Sequence, residues 1–269
     1  MMRIYSYFLI AKNTFQESFT YRRNTIAGML ATFLTLWFRL IVWQVLYREN
    51  GTDELMGRTL PDMLTYTIIT TIVAMFTGAG RVAELVEERM KSGEIALDLL
   101  RPTSARMMLV ARTWGDKTLE IVSDIIPLAI GIVIAGGMLL PRSFSHSMLF
   151  LLSLFLGYLI NLMFALVVAC LAFYFVPVVT LNWFLMFFVV AMSGTLIPLW
   201  MLPGWLRAIA LALPFQAANY VPASIYLGTM DISALPGTIG VQLLWIVGLW
   251  LLQFAMWRRG MRRITLHGG

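Results

Sequence analysis

The chain has 269 residues, of which 59% are hydrophobic and only 13% charged, and it carries a net charge of +6. A soluble globular domain is about one quarter charged, so this composition, with a mean hydropathy of +0.80, makes lipid the solvent for most of the chain. Lipid offers backbone groups no partner, so repeated runs of ~20 apolar residues mean helices, and the ~10-residue alternation of a membrane β-barrel is absent.

Cys170 is the single cysteine and lies in an apolar run, which excludes an internal disulfide or thiolate cluster, and His146 and His267 stand far apart. The basic residues gather at the ends of apolar runs, where membrane topology accounts for them, so nucleic acid is not expected as a partner.

At the start, Ile4 to Ala11 barely reaches the length of a signal-peptide apolar region, and Lys12 and Asn13 follow where small residues would mark cleavage. No cleavable signal is therefore expected. Ile4, Phe8, Ala11, Phe15 and Phe19 recur at helical spacing, which predicts an amphipathic helix over residues 1–24. Two readings stand: an interfacial helix on the inner leaflet, or a helix packed on the protein's own loop.

Spans are expected over 25–46, 60–80, 119–140, 147–173, 178–197 and 238–257, giving an all-α polytopic membrane protein with a six-span domain over 25–257. An even count puts both termini on one side. With the termini inside, fifteen Lys and Arg fall in internal segments against four outside (Arg48, Arg58, Arg142 and Arg207), and Arg39 lies within the first span. The positive-inside rule therefore makes both termini cytoplasmic, including a basic tail over 258–269 that follows the interfacial anchor Trp257.

Between the second and third spans, residues 81–118 hold thirteen charged side chains in 38 positions. A charged helix should run to Lys91, with Glu87 four residues ahead of it in the favourable order. Ser92 and Gly93 break that helix. Glu94 to Leu100 can then form two turns, with Ile95 and Leu99 on one face and Glu94, Asp98 and Arg101 on another, until Pro102 stops them. Two turns are not stable alone in water. They need a groove, in this chain or in a partner; the alternative is a solvated connection between spans.

Residues 193–237 hold five of the ten prolines (Pro198, Pro203, Pro214, Pro222 and Pro236), together with Trp200 and Trp205 but only two charges. Prolines interrupt every run before ~17 residues, which argues against two more spans. Two short helices near 204–213 and 216–227 are expected instead, forming an external re-entrant segment whose broken backbone is satisfied by protein or a wet cavity.

Arg39 and Asp124 are charges inside the membrane and so candidate functional residues. Their depths differ, about 21 Å and about 8 Å from the inner ends of their spans at 1.5 Å per residue, so they are not expected to pair. Arg39 could run outward past Trp43, and Asp124 could turn inward or meet a cytoplasmic arginine. Asn161 and Asn182 suit interhelical hydrogen bonds, and the eighteen methionines would suit a flexible cavity for varied amphiphiles.

Ser92-Gly93-Glu94-Ile95, followed by Leu99-Leu100-Arg101-Pro102 and by Thr113 to Lys117 leading back into the bilayer, resembles the coupling loop of ABC type-2 permeases. Gly194 to Pro198, Leu202 to Leu206, Leu213-Pro214-Phe215 and Pro222 to Gly228 resemble the external re-entrant segment of that family. The resemblance covers nearly the whole chain. It implies an exporter permease in the bacterial cytoplasmic membrane, moving an amphiphilic or hydrophobic substrate by alternating access. It implies that Ser92, Gly93, Glu94, Ile95, Asp98, Leu99, Leu100, Arg101 and Pro102 couple to a separate ATPase dimer, and that a second permease, identical or related, completes the path. Pro198, Pro203, Trp205, Pro214, Phe215 and Pro222 then belong to the external cap. The chain has no Gly-Lys dipeptide and so no phosphate-binding P-loop, which assigns ATP and Mg to the partner and no cofactor to this chain. An intramembrane enzyme would need clustered His, Asp, Glu or Ser at one depth, and a secondary transporter would show internal repeats; neither pattern stands out.

Overall fold

The computed structural model describes residues 2–20, 22–51, 54–55, 57–79, 81–94, 105–134, 141, 143–174, 177–230 and 232–267, of which 2–5, 17–20, 22–26, 105, 133–134, 232 and 263–267 are described by backbone alone. Helix dominates, as the apolar runs require. Helix α1 covers Met2–Thr20 and α2 Arg22–Asn50. The all-α expectation meets one local exception, an antiparallel hairpin of β1 (Glu54–Leu55) and β2 (Arg58–Thr59) that turns at Gly57 with φ +74°. The Tyr47 hydroxyl donates to the Arg58 carbonyl at 2.7 Å and ties this hairpin to α2.

Helix α3 (Leu60–Thr77) begins with a capping box: the Asp62 N–H donates to the Thr59 hydroxyl oxygen at 3.4 Å, and the Thr59 N–H donates back to the Asp62 carboxylate at 3.2 Å. Gly78, at φ −54° and ψ 130°, interrupts the helix before α4 (Val82–Lys91). Beyond Lys91, Gly93 adopts φ +72°, a left-handed conformation that glycine takes without steric cost. Helix α5 (Ala105–Glu120) runs into a π-helical turn over Ile121–Ile125 and then α6 (Ile126–Ile134). Helix α7 spans Phe144–Cys170, α8 Val178–Met192, α9 Gly204–Ala212, α10 Pro214–Ala218, α11 Tyr220–Tyr226 and α12 Leu235–His267.

Among the described residues four helical stretches are long and apolar enough to cross a membrane: Ala27–Asn50, Leu60–Lys91, Phe144–Phe173 and Leu235–Arg262. A fifth is counted if Gly204–Ala212 and Pro214–Tyr226, bent by 70°, are taken as one broken span. The protein is an all-α polytopic membrane protein. The run expected as the fifth span forms a helix of 15 residues, about 22 Å long at 1.5 Å per residue.

Helix α7 is the central post. Its Gly157 lies so close to α10 that a Cβ there would sit 2.5 Å from the Ala218 carbonyl oxygen. The main apolar core gathers at one end of the bundle, where Val82, Ala83 and Val86 of α4 meet Leu109 of α5, Leu162 and Leu166 of α7, Val178 of α8 and Trp257 of α12. The helix that leaves α3 is therefore part of the packed body.

Candidate functional site

The apolar side of α4 enters this core, and its next turn brings Glu87 to the same side. The Glu87 side chain is only 5% exposed. One carboxylate oxygen accepts from Lys91 at 2.6 Å, the i,i+4 pair expected from the sequence, and the other accepts from the backbone N–H of Val179 at 2.7 Å. Helix α8 needs that acceptor. Its N-cap is Pro177, which supplies no side-chain hydrogen bond, so one of the unpaired N–H groups of its first turn is satisfied by a carboxylate from another helix. The negative charge also faces the positive end of the helix dipole. Sequence reasoning found the Lys91 half of this arrangement and missed the Val179 half; a proline directly ahead of a helix with no capping side chain was the available signal.

Ser92 caps α4, its N–H donating to the Glu88 carbonyl at 2.9 Å, and Glu94 lies 3.9 Å from Arg89. Ser92, Gly93 and Glu94 are exposed, and the remaining residues of the expected docking helix, Ile95, Asp98, Leu99, Leu100, Arg101 and Pro102, lie outside the described residues. The return helix α5 is gripped by α1: at Gly115 a Cβ would collide with the Ala11 carbonyl oxygen. Helix α1 thus packs on the protein's own return helix, as one of the two readings of the N-terminal segment has it, and Phe8 stays 64% exposed on its outer side.

Along the middle of α3, two side chains hold the backbone that leaves α8. Arg39 of α2 donates from Nη1 to the Thr71 hydroxyl at 3.1 Å and from Nη2 to the Thr195 carbonyl. Tyr66 of α3 donates to the Gly194 carbonyl at 2.7 Å and stands edge-on to Trp200, with ring centroids 4.8 Å apart. Gly194, at φ +79°, makes the turn they hold. Arg39 therefore turns into the protein and not outward past Trp43.

The expected cap residues divide into two groups. Pro203 and Trp205 are exposed around α9, whereas Pro198 is buried below it and Pro214, Phe215 and Pro222 lie in the buried α10–α11 segment against α7. Both helical prolines fall in the first turn of their helices, where a missing N–H costs nothing. Asn161 and Asn182 make no hydrogen bond among the described residues. Interhelical bonding falls instead to Asn219, which accepts from Thr77 at 2.8 Å, and to Gln242. The Gln242 amide donates to the Ala217 carbonyl at 2.7 Å and to the Ser153 hydroxyl at 3.0 Å.

Asp124 lies in the π-helical turn, accepts from Ser123 at 2.5 Å, and shares no partner with Arg39. It lines a cavity of about 510 Å³ between α2, α3 and α6.

Long apolar helices, a charged helix packed into their core, and a broken helix pair in which α9 is exposed and α10–α11 buried against α7 are the frame of a multi-pass membrane protein. Over residues 33–268 the chain matches the family described as ABC-2 family transporter protein, and it belongs to that family. It is accordingly a membrane subunit of an ABC transporter, a complex whose ATPase is a partner. A search of curated proteins finds no match.

Proposed function

We propose that this subunit is the permease of an exporter, carrying an amphiphilic or hydrophobic substrate out of the cytoplasm or inner leaflet by alternating access. The subunit has six spans, with 119–140 and 178–197 as the two beyond the longest helices and 193–237 as an external cap. The termini, α1 and residues 81–118 are cytoplasmic, in the inner membrane of a bacterium. The Ser92 to Pro102 segment docks into an ATPase dimer that holds ATP and Mg, and a second permease completes the path.

The observation that carries the reading is the seating of α4. A helix leading directly to the docking segment packs into the core and caps α8 through Glu87. Force applied at residues 92–102 thus has a stiff route into the bundle. Transport then requires only that substrate bind the two end states differently.

The test is purification of the tagged chain from its native membrane. The expected result is a co-purifying chain with ATPase activity and a second permease copy or homologue. A chain recovered alone under conditions that preserve membrane complexes would overturn the reading.

A further inference from the structure

We infer that the cavity beside α2 is a binding site for a cationic amphiphile, an ammonium-type head joined to an apolar body. This deepens the permease reading and rests on it for its role in transport, though not for the binding itself.

The cavity's volume of about 510 Å³ falls in the range of ~300–1,000 Å³ typical of small-molecule sites. Its walls are apolar and aromatic, including Met29, Phe33 and Trp37 of α2 and Leu128 of α6, and among the described residues Asp124 is the one charged residue lining it. Asp124 sits near one end. Ile132, the last lining residue, is eight positions further along, about 12 Å at 1.5 Å per residue. The slot is therefore asymmetric, with a carboxylate near one end and hydrocarbon walls beyond it.

The charge balance around Asp124 favours a cation. Two carboxylates, Glu120 and Asp124, lie one helical turn apart. The cation beside them, Lys117, has a side chain only 5% exposed and donates to Glu120 at 2.6 Å and to the Met75 carbonyl at 2.8 Å. Lys117 thus pairs with Glu120, and the Asp124 carboxylate, which lines the cavity, accepts a hydrogen bond from Ser123 alone among the described residues. An ammonium head would pair with it, and the aromatic and aliphatic walls would cover the apolar body. A neutral head would leave the carboxylate unpaired in apolar surroundings, and an anionic one would be repelled. The placement of Asp124 in a π-helical turn fits the frequent occurrence of such turns at functional sites.

The test is saturable binding to the full chain, purified with its accompanying ATPase in lipid nanodiscs without nucleotide, with empty nanodiscs subtracted. The probes are decyltrimethylammonium, the uncharged N,N-dimethyldecanamide and decanoate. The parent should bind the cation at least tenfold more tightly than the amide, and decanoate least. Asp124→Asn should remove that preference while leaving amide binding in place. Gly131→Leu should weaken both cation and amide, because a Cβ at Gly131 meets nothing within 4 Å and its side chain would occupy the slot without straining the helix. Equal binding of cation and amide by the parent, an unchanged preference in Asp124→Asn, or unchanged binding in Gly131→Leu would each overturn the inference. Loss of the co-purifying ATPase would bear on the permease reading alone.

Discussion

Glu87 and Val179 are 92 residues apart in sequence, yet the Glu87 carboxylate accepts the Val179 N–H at 2.7 Å. The contact joins the helix that leads into the charged loop to the start of α8. It is the one described hydrogen bond from α4 to a later helix that replaces a missing N-cap, which makes it a defined point for testing how the loop and the bundle communicate.

Glu87→Ala should lower stability by about 1–2 kcal/mol, the usual cost of losing a charged cap. Val179→Pro removes the same donor from the other side, in a first-turn position where proline is tolerated. If the contact is what both changes remove, their effects on the apparent melting temperature will be less than additive in the double variant. Fully additive losses would show that Glu87 acts through Lys91 or packing alone. In the intact transporter, Glu87→Ala should also reduce substrate-stimulated ATP hydrolysis more than basal hydrolysis.

Leu99→Asp should abolish assembly with the ATPase while leaving membrane insertion intact. Ile95, Leu99 and Leu100 are the proposed apolar anchors, with Glu94, Asp98 and Arg101 as rim charges that orient the contact, and buried apolar anchors carry most of the energy of such docking. Pull-down of the partner checks it. Normal assembly and coupled hydrolysis in this variant would remove the docking assignment.

Arg39→Leu should destabilise the protein by about 1–3 kcal/mol, because the Thr195 carbonyl and the Thr71 hydroxyl both lose a charged donor. Tyr66→Phe removes the neighbouring bond to Gly194 and should loosen the same turn. Thermal unfolding of the two single variants and the double variant is the measurement. An Arg39→Leu protein as stable as the parent would place the guanidinium outside any structural role.

Single cysteines at positions 92 and 262 should resist impermeant thiol reagents applied to intact cells and react once the membrane is opened. The background for this labelling is low, since Cys170 is the single cysteine of the chain and is buried. Reaction at either position in intact cells would overturn the proposed orientation.

Composition and periodicity by themselves determined the solvent, the helical class, the end of α4 at Ser92 and Gly93, the Glu87–Lys91 pair and the proline-broken segment before α12. All of these depend on hydrogen bonds and side-chain spacings that reach four residues or fewer, so they are written locally. Tertiary structure alone decided that the second Glu87 oxygen caps α8, that Arg39 reaches a carbonyl 156 residues away, and that, among the described residues, Asn219 and Gln242 bond between segments while Asn161 and Asn182 do not. Nothing near these residues in the chain marks their partners. In a bundle whose helices are apolar on most sides, the face a polar residue presents is set by which neighbour approaches, and close approaches such as Gly157 against Ala218 arise only when the helices pack.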